Sequence, residues 1–214
     1  MRVTIGALGL ITSLCVPSVS WAAIFTDEAA FQSAAGGAAL ETFEGFPTIT
    51  QVSSLPALSV TFGTLDNGAF PAVGDIFDDN VGGIARSGTQ VMMNGDLIDG
   101  GQGPISIFPD APGTFISALG YWNTGGDDTT SLTFFDALDA IIMTAVSGPV
   151  INADPSFLGI VSPIGASRVE IDRVTGNLFT IDDLQVTVVP IPPAILLFLS
   201  ALCILGATHR VRRR

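Results

Sequence analysis

The stretch RVEIDRVTGNLFTIDDLQVTV, residues 168–188, decides the fold. In its first part Val169 and Ile171 alternate with Arg168, Glu170 and Asp172. That period of two sends one face of a strand into a core and the other toward water. Thr175-Gly176-Asn177 is a turn signal, and Leu178–Val188 reads as a second strand. Within it Phe179 and Ile181 share one parity while Leu184 and Val186 share the other, yet all four are core residues by type. A one-residue slip flips every side chain to the opposite face, so the switch predicts a bulge at Asp182-Asp183. Two acids at a bulge in a core strand need a partner.

Further runs of the same kind lie upstream: Leu40–Glu44, Ser59–Gly63, Gln90–Met93, Ile105–Phe108, Phe115–Trp122, Ser131–Phe135, Ile141–Ala145 and Phe157–Val161. Turn signals separate them, among them Asp66-Asn67-Gly68, Asn94-Gly95-Asp96 and Thr124-Gly125-Gly126-Asp127. Ile105 and Ile107, followed by Phe115, Ser117, Leu119 and Tyr121, look like a pair of neighbouring core strands. Thr26-Asp27-Glu28 before an alanine-rich run reads as a short helix capped by Thr26 and stopped at Gly36-Gly37. Many short strands with glycine-rich turns predict an all-β fold, an antiparallel jelly-roll-like β-sandwich with one short N-terminal helix. No fixed-period repeat is present, which argues against a solenoid or propeller.

Both ends of the chain read as addresses. Met1–Ala22 has Arg2, an apolar stretch from Val3 to Val16, and small residues at Ser20 and Ala22. This is the pattern of a signal-peptide helix, with signal peptidase cutting between Ala22 and Ala23. At the other end, residues 189–214 run from a proline cluster through an apolar stretch, Ala194–Ala207, to Arg210, Arg212, Arg213 and Arg214. Those fourteen residues span about 21 Å as a helix, short against a bilayer core of about 30 Å. The arginines should stay cytoplasmic, which leaves everything upstream of Pro190 outside the inner membrane.

Between these ends, residues 23–188 form one domain with enough chain for a proper core. Cys15 and Cys203 both lie in the targeting segments, and the one histidine, His209, sits beside the arginines. The domain therefore cannot use disulfides, Ser-His-Asp or Cys-His catalysis, or His-ligated zinc. It carries all twenty acids of the chain against three arginines (Arg86, Arg168, Arg173), a net charge of −17, and the chain has no lysine. Such a surface repels nucleic acid and anionic lipid, and it suits either solubility or divalent cations. Asp75, Asp78, Asp79 and Asn80, the pair Asp96 and Asp99, and the pair Asp127 and Asp128 form acidic loops without the spacing of an EF-hand. Tyr121 and Trp122 are adjacent, so alternation sends them to opposite faces. Trp122 is then either a surface residue or a stacking platform for a sugar.

Two resemblances extend this reading. The order Val189-Pro190-Ile191-Pro192-Pro193-Ala194, a short apolar helix and an arginine cluster resembles the PEP-CTERM family of bacterial sorting signals, in its VPxPA-like variants. The resemblance implies recognition by an exosortase-type cysteine transpeptidase in the inner membrane. It also implies transfer to the cell surface or exopolysaccharide matrix of a Gram-negative bacterium. Where that family carries Glu between the first two prolines, this chain has Ile191. The segments Thr42-Phe43-Glu44-Gly45, Ala118-Leu119-Gly120-Tyr121, Phe157-Leu158-Gly159-Ile160 and Phe179-Thr180-Ile181-Asp182-Asp183-Leu184 resemble the β-sandwich domains often found upstream of that signal. The last segment is also similar to the closing strand of jelly-roll carbohydrate-binding modules. That second likeness implies a structural calcium held by Glu44 and by Asp182 or Asp183, for which carboxylates and backbone carbonyls are suitable ligands.

The expectation is an exported, non-enzymatic protein of the cell surface or exopolysaccharide matrix, held transiently at the periplasmic side of the inner membrane by residues 194–207. The alternatives are a carbohydrate-binding module that contacts glycan through Trp122, and a glycosidase built on a carboxylate pair.

Overall fold

Alternation becomes strand along much of the described part of the chain. The computed structural model describes residues 22–190, apart from 48, 77–83, 97–99, 102, 126–128, 151–153 and 175–177. The first strands are β1 (Ala23–Phe25), β2 (Ala39–Glu41), β3 (Thr50–Gln51), β4 (Ser54–Leu55), β5 (Val60–Phe62) and β6 (Ala72–Asp75). Next come β7 (Gln90–Met93), β8 (Gly95–Asp96), β9 (Gly100–Gly101), β10 (Ile105–Pro109) and β11 (Thr114–Asn123). The chain continues through β12 (Thr130–Phe135), β13 (Ile141–Val146), β14 (Ser156–Ala166), β15 (Arg168–Arg173) and β16 (Thr180–Pro190). One α-helix, α1 (Glu28–Ala35), and a 3-10 turn at Pro56–Leu58 are the helical elements among the described residues.

The strands form a two-sheet sandwich with antiparallel pairing throughout. The larger sheet runs β1-β14-β11-β16-β7-β6-β3, with β2 also on β16, and the smaller runs β13-β12-β15-β10-β5-β4. Strands β8 and β9 pair with each other alone. The core lies between the sheets. Phe179, just before β16, and Ile181, Leu184 and Val186 within it share one cluster with Ile105, Ile107, Leu132 and Phe134 of the smaller sheet. The parity switch predicted in β16 is thus real, since both pairs of apolar residues reach the same core.

The expectation of an all-β sandwich with a short helix holds, and the details differ in three places. First, β10 and β11 are not neighbours: β10 pairs with β5 and β15, and β11 with β14 and β16. The chain crosses from one sheet to the other at residues 110–113, so the two strands meet across the core instead of along an edge. Second, the cap of α1 is Asp27, not Thr26. Asp27 has extended backbone (φ −122°, ψ 123°) and its Oδ1 accepts from Ala30 N at 2.8 Å. A carboxylate also complements the positive end of the helix, which a hydroxyl does not. The C-terminal stop is at Gly36, in the left-handed region at φ 72°. Third, β2 stops at Glu41 because Phe43 takes φ 64° and buries its ring fully while its N–H bonds Glu41 Oε1.

The outer face of the larger sheet carries a second layer. Gly120 and Gly159 are direct partners across β11 and β14. They leave a slot into which α1 drops Phe31, which is wholly buried against Phe157, Ala118 and Trp122. The 84–90 segment lies over the same face, nearer the bulge. Strand β16 continues to Pro190, opposite Thr114 of β11. Val189 and Pro190 therefore belong to the last strand, while Ile191–Arg214, the expected membrane helix 194–207 and residues 1–21 lie outside the described residues. Among the described residues no helix is long and apolar enough to cross a membrane.

Candidate functional site

The site grows from the bulge in β16. Gly120 faces Gln185 and Trp122 faces Asp182, so two steps on β11 are matched by three on β16. The extra residue is Asp183, held at φ 49° in the left-handed region that Asp tolerates better than most residues. The bulge brings two successive carboxylates to the outer face beneath the 84–90 segment.

Each carboxylate finds donors on that segment. Asp182 Oδ2 accepts from Arg86 N at 2.8 Å and from Ser87 N at 2.9 Å, and its Oδ1 accepts from Asp183 N at 2.7 Å. Asp183 Oδ1 accepts from Ser87 Oγ at 2.7 Å. Farther along, Glu44 Oε1 accepts from Thr89 N at 3.0 Å and Gln90 N at 2.8 Å, while Thr89 Oγ1 donates to Asp75 Oδ2 at 2.5 Å. Gln90 Nε2 completes the attachment by donating to the carbonyl of Phe46 at 2.7 Å. Gly88, in the middle, sits at φ 54°, and a Cβ there would overlap the Glu44 carboxyl. Residues 86–90 are therefore a strap pinned at one end by Asp182 and Asp183 and at the other by Glu44.

The electrostatics follow from this geometry. Burial pushes the Asp182 carboxyl up to about 7; the N–H groups of the strap oppose that rise, and the neighbouring Asp183 charge adds to it. Asp183 is raised as well, first by burial, with the Ser87 hydroxyl opposing, Glu28 adding, Arg86 opposing and Glu44 adding. The Arg86 guanidinium lies 4.5 Å from the centre of the Trp122 ring, a cation–π stack that closes the strap over the sheet. On the far side of the bulge, buried Gln185 donates to Glu28 and accepts from Gln32, which ties α1 to the same strand.

Sequence reasoning named Glu44, Asp182, Asp183 and Trp122, and all four border one strap. Its own residues, Arg86, Ser87, Gly88, Thr89 and Gln90, were missed, as was the role of Asp75. The Ser-Gly-Thr run reads only as a loop before β7, and its partners are remote in sequence. For a calcium ion the donor set is poorly suited. The carboxylate oxygens that converge face N–H and O–H hydrogens, which supply the positive partners a cation would otherwise supply. Among the described residues no group of three or more acidic, His or Cys side chains is arranged to hold a metal. Asp78, Asp79, Asn80, Asp99, Asp127 and Asp128 lie outside the described residues. Tyr121 is wholly buried and shares a hydrogen bond with Thr130, whereas Trp122 is half-buried, edge-on to Phe157 at 5.5 Å and covered by Arg86. A sugar reaching that ring would have to displace the guanidinium. A groove of about 240 Å³ beside the end of β16, lined by Gly37, Leu58, Ser59, Val186 and Val188 among others, contains no carboxylate side chain.

No family model matches the chain, and no curated protein matches it. Among solved structures it is similar to a DUF4465 family protein from Bacteroides caccae, with 12% identity, a TM-score of 0.41, and coverage of 70% of this chain and 92% of the other. It is also similar to the enzymatically active domain of tailspike protein 4 from Bacteriophage CBA120, with 15% identity, a TM-score of 0.29, and coverage of 80% of this chain and 20% of the other.

Proposed function

We propose that this chain is an exported, non-enzymatic β-sandwich of jelly-roll type, destined for the cell surface or exopolysaccharide matrix. Residues 194–207 hold it briefly at the periplasmic side of the inner membrane. An exosortase-type transpeptidase then reads the motif Val189–Ala194 and passes the domain outward. The observation that carries this reading is the end of β16. The domain's last ladder pairs end at Val189 and Pro190, where the proline motif begins, so the folded body and the sorting segment adjoin without a linker. A structural role fits the site better than catalysis. Its carboxylates are engaged by backbone donors, and the residues from 16 to 202 contain neither His nor Cys.

The test is the intact mass of the native protein recovered separately from cells and from matrix. The matrix form is expected to lack residues 1–22 and everything downstream of a cut near the prolines. A matrix form that still contains Pro193–Arg214 refutes sorting. Pull-down on the matrix polysaccharide, with Trp122→Ala as the comparison, then tells a glycan-binding module from a structural one.

A further inference from the structure

The strand ladders fix what lies at the end of the sandwich from which the chain leaves. Pro190 of β16 pairs with Thr114 of β11. Two residues along β11, Ile116 pairs with Ala166 of β14. The turn after Ala166 leads to Arg168, which pairs with Phe135 of β12, and Phe135 pairs in turn with Ile141 of β13. This end therefore carries the crossing at 110–113, the hairpin turn at 136–140 and the turn into β15. Ser167 fastens the last two together, its N–H donating to the Phe135 carbonyl at 2.9 Å and its hydroxyl to the Asp136 carbonyl at 2.6 Å. Ile164 belongs to the break in the neighbouring ladder, where residues 162–165 intervene between Val161, opposite Ala118, and Ala166, opposite Ile116.

The three most exposed large apolar side chains among the described residues all lie here: Leu138 is 88% exposed, Ile164 71% and Ile141 64%. One exposed leucine is ordinary, whereas three such residues grouped where the chain leaves the fold need a reason. Charge at this end is small for so acidic a domain. Asp139 is paired with Arg168 at 3.2 Å. Asp136 Oδ1 accepts from Leu138 N at 2.8 Å and Ala140 N at 2.9 Å. The remaining acid of these turns is Asp110. Asp172, opposite Ser131, and Asp154, two residues before the Ser156 that pairs with Asn123, flank the opposite end.

We infer that the exit end of the sandwich rests on the headgroups of the bilayer that holds the tail, with Leu138 and Ile164 as its apolar contacts. The inference rests on the reading that residues 194–207 sit in the inner membrane, and it names the surface that then faces lipid. The reach of the chain supports it. Residues 191–193 alone separate Pro190 from the apolar run. Three residues extend at most about 11 Å, while the headgroup layer on one side of a bilayer is about 5–8 Å thick. The apolar run is also short of the hydrocarbon core, and such a span thins the bilayer or draws its flanks toward it. The end of β16 therefore stands in or just above the headgroup layer, where Leu138 and Ile164 gain from burial against lipid. Turning this end to the membrane also keeps Asp154 and Asp172 in water. A domain this acidic selects a zwitterionic surface over an anionic one.

The test places the full chain, with Cys15 and Cys203 replaced by Ser, in phosphatidylcholine vesicles that include lipid bearing a nitroxide just below the headgroup. A fluorophore is attached singly through Ala137→Cys beside Leu138, Val174→Cys at the opposite end, or Leu197→Cys in the tail. Strong quenching is expected at position 197, and several-fold stronger quenching at position 137 than at 174. Adding Leu138→Ser and Ile164→Ser, which bring no charge, should reduce the signal at 137 several-fold and leave that at 197 unchanged. With 197 quenched, a signal at 137 that the two serines do not alter, or one no stronger than at 174, overturns the contact and leaves the anchored tail standing. An unquenched 197 overturns the membrane reading and the contact with it.

Discussion

Gly159→Ala tests how α1 is held on the sheet. The backbone at Gly159 is not in the left-handed region, so alanine is tolerated there conformationally and the effect is steric. An added Cβ would come within 2.6 Å of Phe31 Cδ2 and 3.0 Å of Cε2. The ring has little room to retreat, because Phe157 lies 5.5 Å away on one side and Phe25 6.1 Å on another, and it is wholly buried. Overpacking of this kind costs about 1–3 kcal/mol, a fall in midpoint of about 3–10 °C for a domain of this size. Phe31→Ala alone removes the ring and costs about 3–5 kcal/mol. In the double variant there is no ring left to strike, so Gly159→Ala should add almost nothing, giving a coupling of about 1–3 kcal/mol. Urea unfolding of the four proteins measures this directly. Additive costs would show that the glycine slot does not seat Phe31.

Glu44→Ala removes the acceptor of Thr89 N and Gln90 N at an exposed position where water can replace it, and should cost about 0.5–1.5 kcal/mol, with faster hydrogen exchange at residues 86–90. Glu44→Gln keeps an acceptor oxygen and should cost less than half as much. The buried Asp182 carboxyl titrates at about 7 when folded and near its ordinary value when unfolded, so the folded chain holds its proton longer. Its contribution is fully present below about pH 4 and is lost as pH rises through about 7, a loss of about 2 kcal/mol after allowance for residual solvent. Asp182→Asn should remove that part of the slope, and parallel pH curves for the two proteins would refute it. Because donors already face Glu44, Asp182 and Asp183, a chelator should move the melting midpoint by less than about 1 °C; a fall of several degrees would establish a cation among them.

Much of the sandwich was legible because burial imposes a period. The runs at Ser131–Phe135 and Arg168–Asp172 match observed strands to within a residue, since each alternates cleanly against one core face, and Gln90–Met93 matches as a short apolar run buried on both faces. Pairing was not legible. Nothing local distinguishes a hairpin between β10 and β11 from a crossing between sheets, and the register break between Ile116 and Ala118 is set by contact with β14 and β16. Strands of two residues, such as β3 and β4, are too short to show any period.

The site shows why acids in a strand are ambiguous at the level of sequence. A carboxylate that collects N–H donors and one that collects a cation present the same letters, Asp-Asp at a bulge and Glu after a buried Phe. What separates them is the identity of the facing segment. Here that segment is Arg86–Gln90, which lies some forty residues from Glu44 and nearly a hundred from Asp182. Its Gly88 allows the positive φ that turns successive amides toward the acids, and it leaves no Cβ to push the Glu44 carboxyl away. The glycine makes the difference visible in structure, and Gly88→Ala should therefore damage both ends of the strap at once, more than Glu44→Ala damages one. Hydrogen exchange at Arg86 and Ser87 reads the outcome: exchange unchanged there while Thr89 and Gln90 open would mean that the two ends are held independently.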